Sequence, residues 1–362
     1  MKQAVSLSVA GIHPTESKSS IDAFLQPVLA QKIIAASAID PSYAALWKSI
    51  NALYNAGGKR FRSYMTLLTH QAYSDIPYQT VIPAAAAQEL LHLAMLIHDD
   101  IIDRDDIRYG VKNIQAQYLD LYASHLPDID ERRHYAQSSA LLAGDLLISE
   151  AFVLVTQASV SASTVLAAQQ LLGTAIFQVI GGELIDTEAA FKGDAAIHPL
   201  IIAEQKTASY SFVSPFLMGA TLAEADNEQK AILKQLGTQL GIAYQIRDDI
   251  MGVFGNETIT GKSTEGDIRE GKRTLLIEEF YRTASPAQQD EFALLFGQSA
   301  MTTVQVERVR ELLIESGAKQ AIETMISQYQ LACTTLVNTL DINDMYRQSF
   351  HQLIQLCLQR EQ

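Results

Sequence analysis

Apolar residues recur at helical spacing along most of the chain, and the breaks in that rhythm mark out the elements. From Ser20 to about Tyr54 the series Ile21, Phe24, Leu25, Val28, Leu29, Ile33, Ile34, then Leu46, Trp47, Ile50 and Leu53 predicts two helices separated at Asp40-Pro41. Gly57-Gly58-Lys59-Arg60 interrupts before a helix through Tyr64–Ala72, and after Pro83 a strongly apolar helix runs into Asp99. Residues 111–135 read as a polar surface excursion with a helical piece at Ile114–Tyr122. Helices follow at Ser138–Gln157, Val165–Ala190, Pro199–Ala223 and 237–252. Phe254–Lys272 is the longest irregular stretch, a length that is usually functional or disordered. From Leu275 onward the pattern gives scaffold helices at Leu275–Tyr281, Ala287–Phe296, Thr303–Ser316, Ala318–Val337 and one from Met345. β-Alternation of useful length, a fixed-period repeat and an inter-domain linker are all missing. The expectation is an all-α chain with a frayed N-terminus over residues 1–19 and a single helical domain over residues 20–362.

Composition narrows the partners. At 48% hydrophobic and 19% charged, 362 residues can bury a large core, and a net charge of −14 argues against nucleic acid or anionic membrane as bulk partners. An anionic substrate must then be met by local basic groups. Cys333 and Cys357 are the two cysteines, without CxxC spacing or nearby His, so neither a disulfide framework nor a zinc site is expected. The N-terminus lacks a signal-peptide core and no apolar run reaches ~18 residues. A cytoplasmic protein without a transmembrane segment is expected.

Candidate chemistry lies in Gln88–Gly110. At ~100° per residue, Asp99 and Asp103 fall one turn apart on one side of a helix, with His92 two turns below Asp99 and Asp100 facing elsewhere. Like charges at this spacing repel, so a cation is expected between them. A lone acidic pair would equally suit a solvated helix end, with Arg104 and Arg108 as local partners. A second copy changes the balance: GIAYQIRDDIMG at 241–252 carries Gln245, Asp248 and Asp249 three and four residues apart. Two acidic helix ends suggest one site across a cavity, and oxygen-only ligands select a hard cation such as Mg²⁺, with a phosphate as third party. Lys59 and Arg62 beside the glycine pair would add charge for an anion. Lys206 by itself reads as a snorkelling lysine, and Asp145 as a buried carboxylate paired to a basic neighbour.

Taken together, GGKRFR, HLAMLIHDDIID with RDDIRYG, LLAGDLL, QVIGGEL, QKTASYSF, YQIRDD and the GKS…GDIREGKRT loop resemble the trans-type isoprenyl diphosphate synthases of the polyprenyl synthetase family, in the family's order over about Asn55–Leu276. The resemblance implies an all-α isoprenoid synthase bundle around a central cavity. It implies that Asp99, Asp100, Asp103, Asp248 and Asp249 bind Mg²⁺, three ions with diphosphate bound, and that Arg108, Lys206 and Lys262 partner the allylic diphosphate. Lys59, Arg62 and His92 correspond to the isopentenyl diphosphate pocket, and Thr207 and Gln245 to groups near the reacting carbon. It further implies a homodimer and a greasy product able to associate with membrane.

Product length is expected to follow the wall below the first Asp motif, where Leu91, small Ala94 and flexible Met95 point to geranylgeranyl diphosphate or somewhat longer. Three positions depart from the family pattern: Tyr109 replaces an arginine on the isopentenyl diphosphate side, Gly252 the third Asp of the second motif, and Ser63 a proline. Tyr109 leaves room for a weakly active or regulatory subunit of a hetero-oligomeric synthase. A metal phosphohydrolase using His98-Asp99 is a further alternative, but it needs more His ligands, and His70 and His92 form no recognisable ligand pattern.

Overall fold

The computed structural model describes residues 11–192, 198–255 and 264–358, and they are overwhelmingly helical. Helix α1 (Pro14–Ser37) is followed by α2 (Pro41–Ala56), which Asp40 caps by accepting the Ser42 N–H at 2.7 Å. The break read at Asp40-Pro41 is therefore an N-cap followed by a first-turn proline. Then come α3 (Phe61–Tyr73), α4 (Ile82–Ile102), a short hairpin of β1 (Ile107–Arg108) and β2 (Val111–Lys112), and α5 (Ile114–Leu121).

Helix α6 (Ile129–Val155) begins well before Ser138, inside what the pattern read as a surface excursion. Asp128 accepts the Asp130 and Glu131 N–H groups, and Asp130 and Glu131 favour the positive helix end, so a polar first turn is helical all the same. Helix α7 (Ala162–Lys192) precedes α8 (Pro199–Ile202), a π-helical segment Ala203–Val213 and α9 (Ser214–Leu222). The chain continues through α10 (Asn227–Phe254), α11 (Gly266–Glu270), α12 (Leu275–Thr283), α13 (Pro286–Leu295), α14 (Thr303–Glu315), α15 (Ala318–Thr339) and α16 (Asp344–Leu358). The all-α expectation holds.

The chain divides into two compact units, one of Met1–Leu172 with Pro215–Asp226, the other of Gly173–Ser214 with Asn227–Gln362. In the first, α4 packs along α6 and against α1 and α3, and its Ala84–Ala87 stretch is wholly buried. In the second, α10 is flanked by the π-helical segment and α15, over a core that includes Ile246, Phe280, Phe292 and Leu312.

The expectation that no segment is long and apolar enough to cross a membrane is corrected. Tyr78–Ile102, Ile129–Val155 and Ala162–Ala189 qualify by length and composition, because their few polar residues interrupt an apolar run without lowering its mean hydropathy much. The first is 78% buried and spends its apolarity on the core, whereas the others are 50% and 28% buried.

His70 of α3 is fully buried and neither ring nitrogen has a hydrogen-bond partner, and burial lowers its pKa from 6.5 to about 4. Since the unfolded chain takes up the proton first, His70 costs stability as pH falls from 6.5 towards 4. Between pH 7 and pH 5 the loss should be about 2 kcal/mol. Urea unfolding should show this loss in the wild type and a flatter dependence in His70→Leu; identical profiles would refute it.

Candidate active site

In the first unit, the acidic end of α4 is built around Arg108. Asp99 and Asp103 offer carboxylate oxygens within 4.8 Å of each other, with Asp103 closing the helix through its N–H to the Asp99 carbonyl. Asp100 is 2% exposed and does not join them: Arg108 Nε donates to its Oδ1 at 2.8 Å, and a second guanidinium nitrogen reaches the same oxygen. Arg108 also lies 3.6 Å from Asp99 and 3.8 Å from Asp105, so one guanidinium faces three carboxylates. Tyr109 and Gly110, with φ of 54° and 75°, make the two-residue left-handed turn of the hairpin that carries Arg108 there. Burial pushes the Asp100 carboxyl up to about 6 despite Arg108.

The GGKRFR motif separates into anchor and flanks. Arg60 is buried at a left-handed φ of 55°, bonded to Asp22 and to the Gly57 and Tyr54 carbonyls, and stacked 3.9 Å from the Tyr54 ring. Lys59 is exposed and Arg62 half-buried on either side of it. His92 shares a small cavity with Arg60, Glu89 and Tyr109, and burial together with Arg62, Arg108 and Arg60 drives its pKa well below the usual histidine range. It is a neutral imidazole among guanidiniums. The Tyr109 ring lies on Gly57, where a Cβ would stand 2.7 Å from Tyr109 Cγ, so the residue replacing the family's arginine covers the glycine motif.

Ser63 explains its own departure from proline, since its N–H donates to Oε1 of buried Glu89 at 2.9 Å, a bond that proline lacks. Of the wall residues, Leu91 and Ala94 are wholly buried and Met95 half-buried. His98 faces the Leu141 carbonyl at 3.2 Å, and Asp145, expected to be buried, has a side chain 62% exposed with His98 as its basic neighbour at 3.9 Å. The correction has a steric cause: Gly144 leaves the space that the His98 ring fills, so α6 turns the adjacent Asp145 outward. With His70 buried in α3, these histidines form no ligand set for a phosphohydrolase.

In the second unit, Lys206 and Thr207 stand on the π-helical segment. Two neighbouring helices approach its backbone through glycine: a Cβ on Gly182 of α7 would stand 2.3 Å from Lys206 N, and one on Gly241 of α10 would stand 2.4 Å from Ala208 Cα. Lys206 bonds Glu183 at 3.0 Å and Asp186 at 2.7 Å, so it is clamped between carboxylates and does not snorkel. Thr207 Oγ1 and Gln245 Oε1 are 2.5 Å apart, and Gln245 Nε2 donates to Asp249 Oδ1 at 2.8 Å. Asp248 is exposed beside them.

Burial pushes the Asp249 carboxyl up to about 7 against the pull of Lys272, with Asp248 and Asp267 adding to the rise. Desolvation works against the Lys272 charge, but Asp267, Asp249 and Asp186 hold its pKa above the ordinary value. Gly252 also finds a reason, because a Cβ there would lie 2.2 Å from the Asp267 carboxylate. Asp186 and Asp267 were missed as site residues. The three-residue spacing of Glu183 and Asp186 was the available signal for the first, and a short helix inside a stretch that reads as irregular hid the second. Lys262 lies outside the described residues.

Burial is the main cause of both raised carboxyls, and the all-oxygen donor set of these helix ends suits magnesium. The polyprenyl synthetase family model matches residues 44–313. The chain is 32% identical to the geranylfarnesyl diphosphate synthase of Aeropyrum pernix over 283 residues, 76% of this chain and 82% of that protein. It is 30% identical to the short chain isoprenyl diphosphate synthase of Methanocaldococcus jannaschii over 270 residues, 74% of this chain and 76% of that one. A geranylgeranyl pyrophosphate synthase structure from Corynebacterium glutamicum, complexed with isoprenyl diphosphate and magnesium, matches with TM-score 0.85 at 26% identity, covering 96% of this chain and 98% of that chain.

Ser63→Pro should cost about 1–3 kcal/mol in urea unfolding by stranding the buried Glu89 carboxylate. Ser63→Ala keeps the amide and should cost less; equal losses would assign the effect to the hydroxyl.

Proposed function

Because the chain belongs to the polyprenyl synthetase family and is a prenyltransferase of the isoprenyl diphosphate synthase kind, we propose that it joins an allylic diphosphate to isopentenyl diphosphate and releases a trans-prenyl diphosphate of geranylgeranyl length or somewhat longer. The observation that carries this reading is the presence of two acidic helix ends, Asp99/Asp103 on α4 and Asp248/Asp249 on α10, each with its own cations.

Asp99, Asp103, Asp248 and Asp249 would hold magnesium, three ions by the family resemblance, which would supply Lewis-acid neutralisation of a departing diphosphate. Lys206, fixed by Glu183 and Asp186, offers an ammonium to the leaving oxygens as charge develops on them. Thr207 and Gln245 bring dipoles and no strong nucleophile, which suits an allylic cation that such a group would trap. Neutral His92, with Lys59 and Arg62, receives the isopentenyl diphosphate. Attack by its double bond forms the new carbon–carbon bond, and released diphosphate takes the proton that is lost.

A soluble cytoplasmic homodimer completes the proposal. Leu166, Gly173, Phe177, Ile180 and Leu184 form a stripe at heptad-like spacing on α7, with Phe177 81% exposed and Leu184 60%. The least buried span of membrane length, Ala162–Ala189 on α7, is read as a subunit-contact helix. A second reading, the regulatory subunit, is favoured by Tyr109 at the arginine position.

Purified chain supplied with Mg²⁺, farnesyl diphosphate and labelled isopentenyl diphosphate should elongate alone. A chain silent alone that shifts a partner synthase's product would support the second reading. Asp99→Ala and Asp248→Ala should each lower turnover by roughly a hundred- to a thousandfold or more with the circular dichroism unchanged; a retained rate would sink the metal assignment. Met95→Phe should shorten the product on chromatography, and an unchanged product would place the floor elsewhere.

A further inference from the structure

Thr274 is 6% exposed and lines a cavity of about 50 Å³ together with Asp186, Lys206, Gln245, Asp249 and Lys272. Its hydroxyl has no hydrogen-bond partner, although buried hydroxyls are nearly always bonded. It occupies the N-cap of α12, a position where a threonine side chain ordinarily accepts from the first turn, yet it makes no such bond. Its backbone carbonyl instead receives the Ile277 and Glu278 N–H groups, so the helix is started without the side chain.

The wall of one cavity thus carries an unspent hydroxyl and the positive end of a nine-residue helix. Lys206, Lys272 and Arg273 line it against the carboxylates of Asp186 and Asp249. Cations, a helix N-terminus and an unspent hydroxyl around one cavity describe a pocket for a phosphate group.

We propose that Thr274 is a phosphate-binding residue: its hydroxyl donates to an oxygen of the allylic diphosphate, and of the inorganic diphosphate released from it, at the N-terminus of α12. This rests on the prenyltransferase reading and adds to it a contact outside both Asp motifs.

The test measures calorimetric binding of Mg²⁺–diphosphate to the full chain, alongside KM for farnesyl diphosphate and for isopentenyl diphosphate. Thr274→Val should weaken diphosphate binding and raise the allylic KM by roughly ten- to a hundredfold, the worth of one hydrogen bond to a charged group. The isopentenyl diphosphate KM should stay unchanged, and Thr274→Ser should recover both losses. Thr274→Asp separates ligand from scaffold, because Asp is a good N-cap but repels phosphate. It should leave the circular dichroism unchanged and yet bind diphosphate more weakly than Thr274→Val.

Wild-type binding in Thr274→Val, or an Asp variant that binds at least as well as the Val variant, would reduce Thr274 to a capping role and overturn the proposal. A wild-type chain that binds diphosphate but never condenses would instead sink the underlying reading while leaving the Thr274 comparison to be read by calorimetry.

Discussion

Carboxylates crowded at a helix end repel one another, and in both units a cation carried by the fold holds that repulsion in check. Arg108 does this at α4, clasping Asp100 and standing near Asp99 and Asp105. Lys206 and Lys272 do it around α10, among Glu183, Asp186, Asp249 and Asp267. The compensation is incomplete: Asp100 at about 6 and Asp249 at about 7 stay well above an ordinary carboxyl. Burial is the main cause, since it penalises the charged carboxylate more than the neighbouring cation relieves it.

Holding those cations in place takes unusual backbone. Arg108 is aimed by a turn in which Tyr109 adopts a left-handed conformation that is costly for a bulky residue. Lys206 is aimed by a π-helical segment, the kind of helix defect that concentrates at functional sites. Gly182 and Gly241 let α7 and α10 close on that segment to distances at which any side chain would collide. The segment packs along α10 and α8, and its Ala203 and Ala208 belong to the buried core that also holds the stacked Phe280 and Phe292 rings.

The chain's departures from its family become physical rather than anomalous. Ser63 gives a backbone donor to a buried glutamate, Gly252 clears space for the Asp267 carboxylate, and Tyr109 trades a cation for a ring that covers Gly57. Each substitution is matched by a partner elsewhere in the same unit. Local motif matching cannot see such pairings, because the partners lie 15 to 52 residues away.

Helix positions, the Asp40-Pro41 cap and the pairing of Asp99 with Asp103 were legible in the sequence, since all depend on spacing within a few residues along one helix. The family, too, was legible, because its motifs are short and ordered. The early start of α6 was not, since a polar turn held by an Asp128 cap looks like a loop to a hydrophobicity count. Tertiary structure alone decided that Asp100 belongs to Arg108, that Asp145 is exposed, that Asp186 and Asp267 join the second acidic site, and that Thr274 is left with an unspent hydroxyl. Periodicity tells which side of a helix a residue occupies, whereas its charge partner and its access to solvent are set by what the distant chain brings against that side.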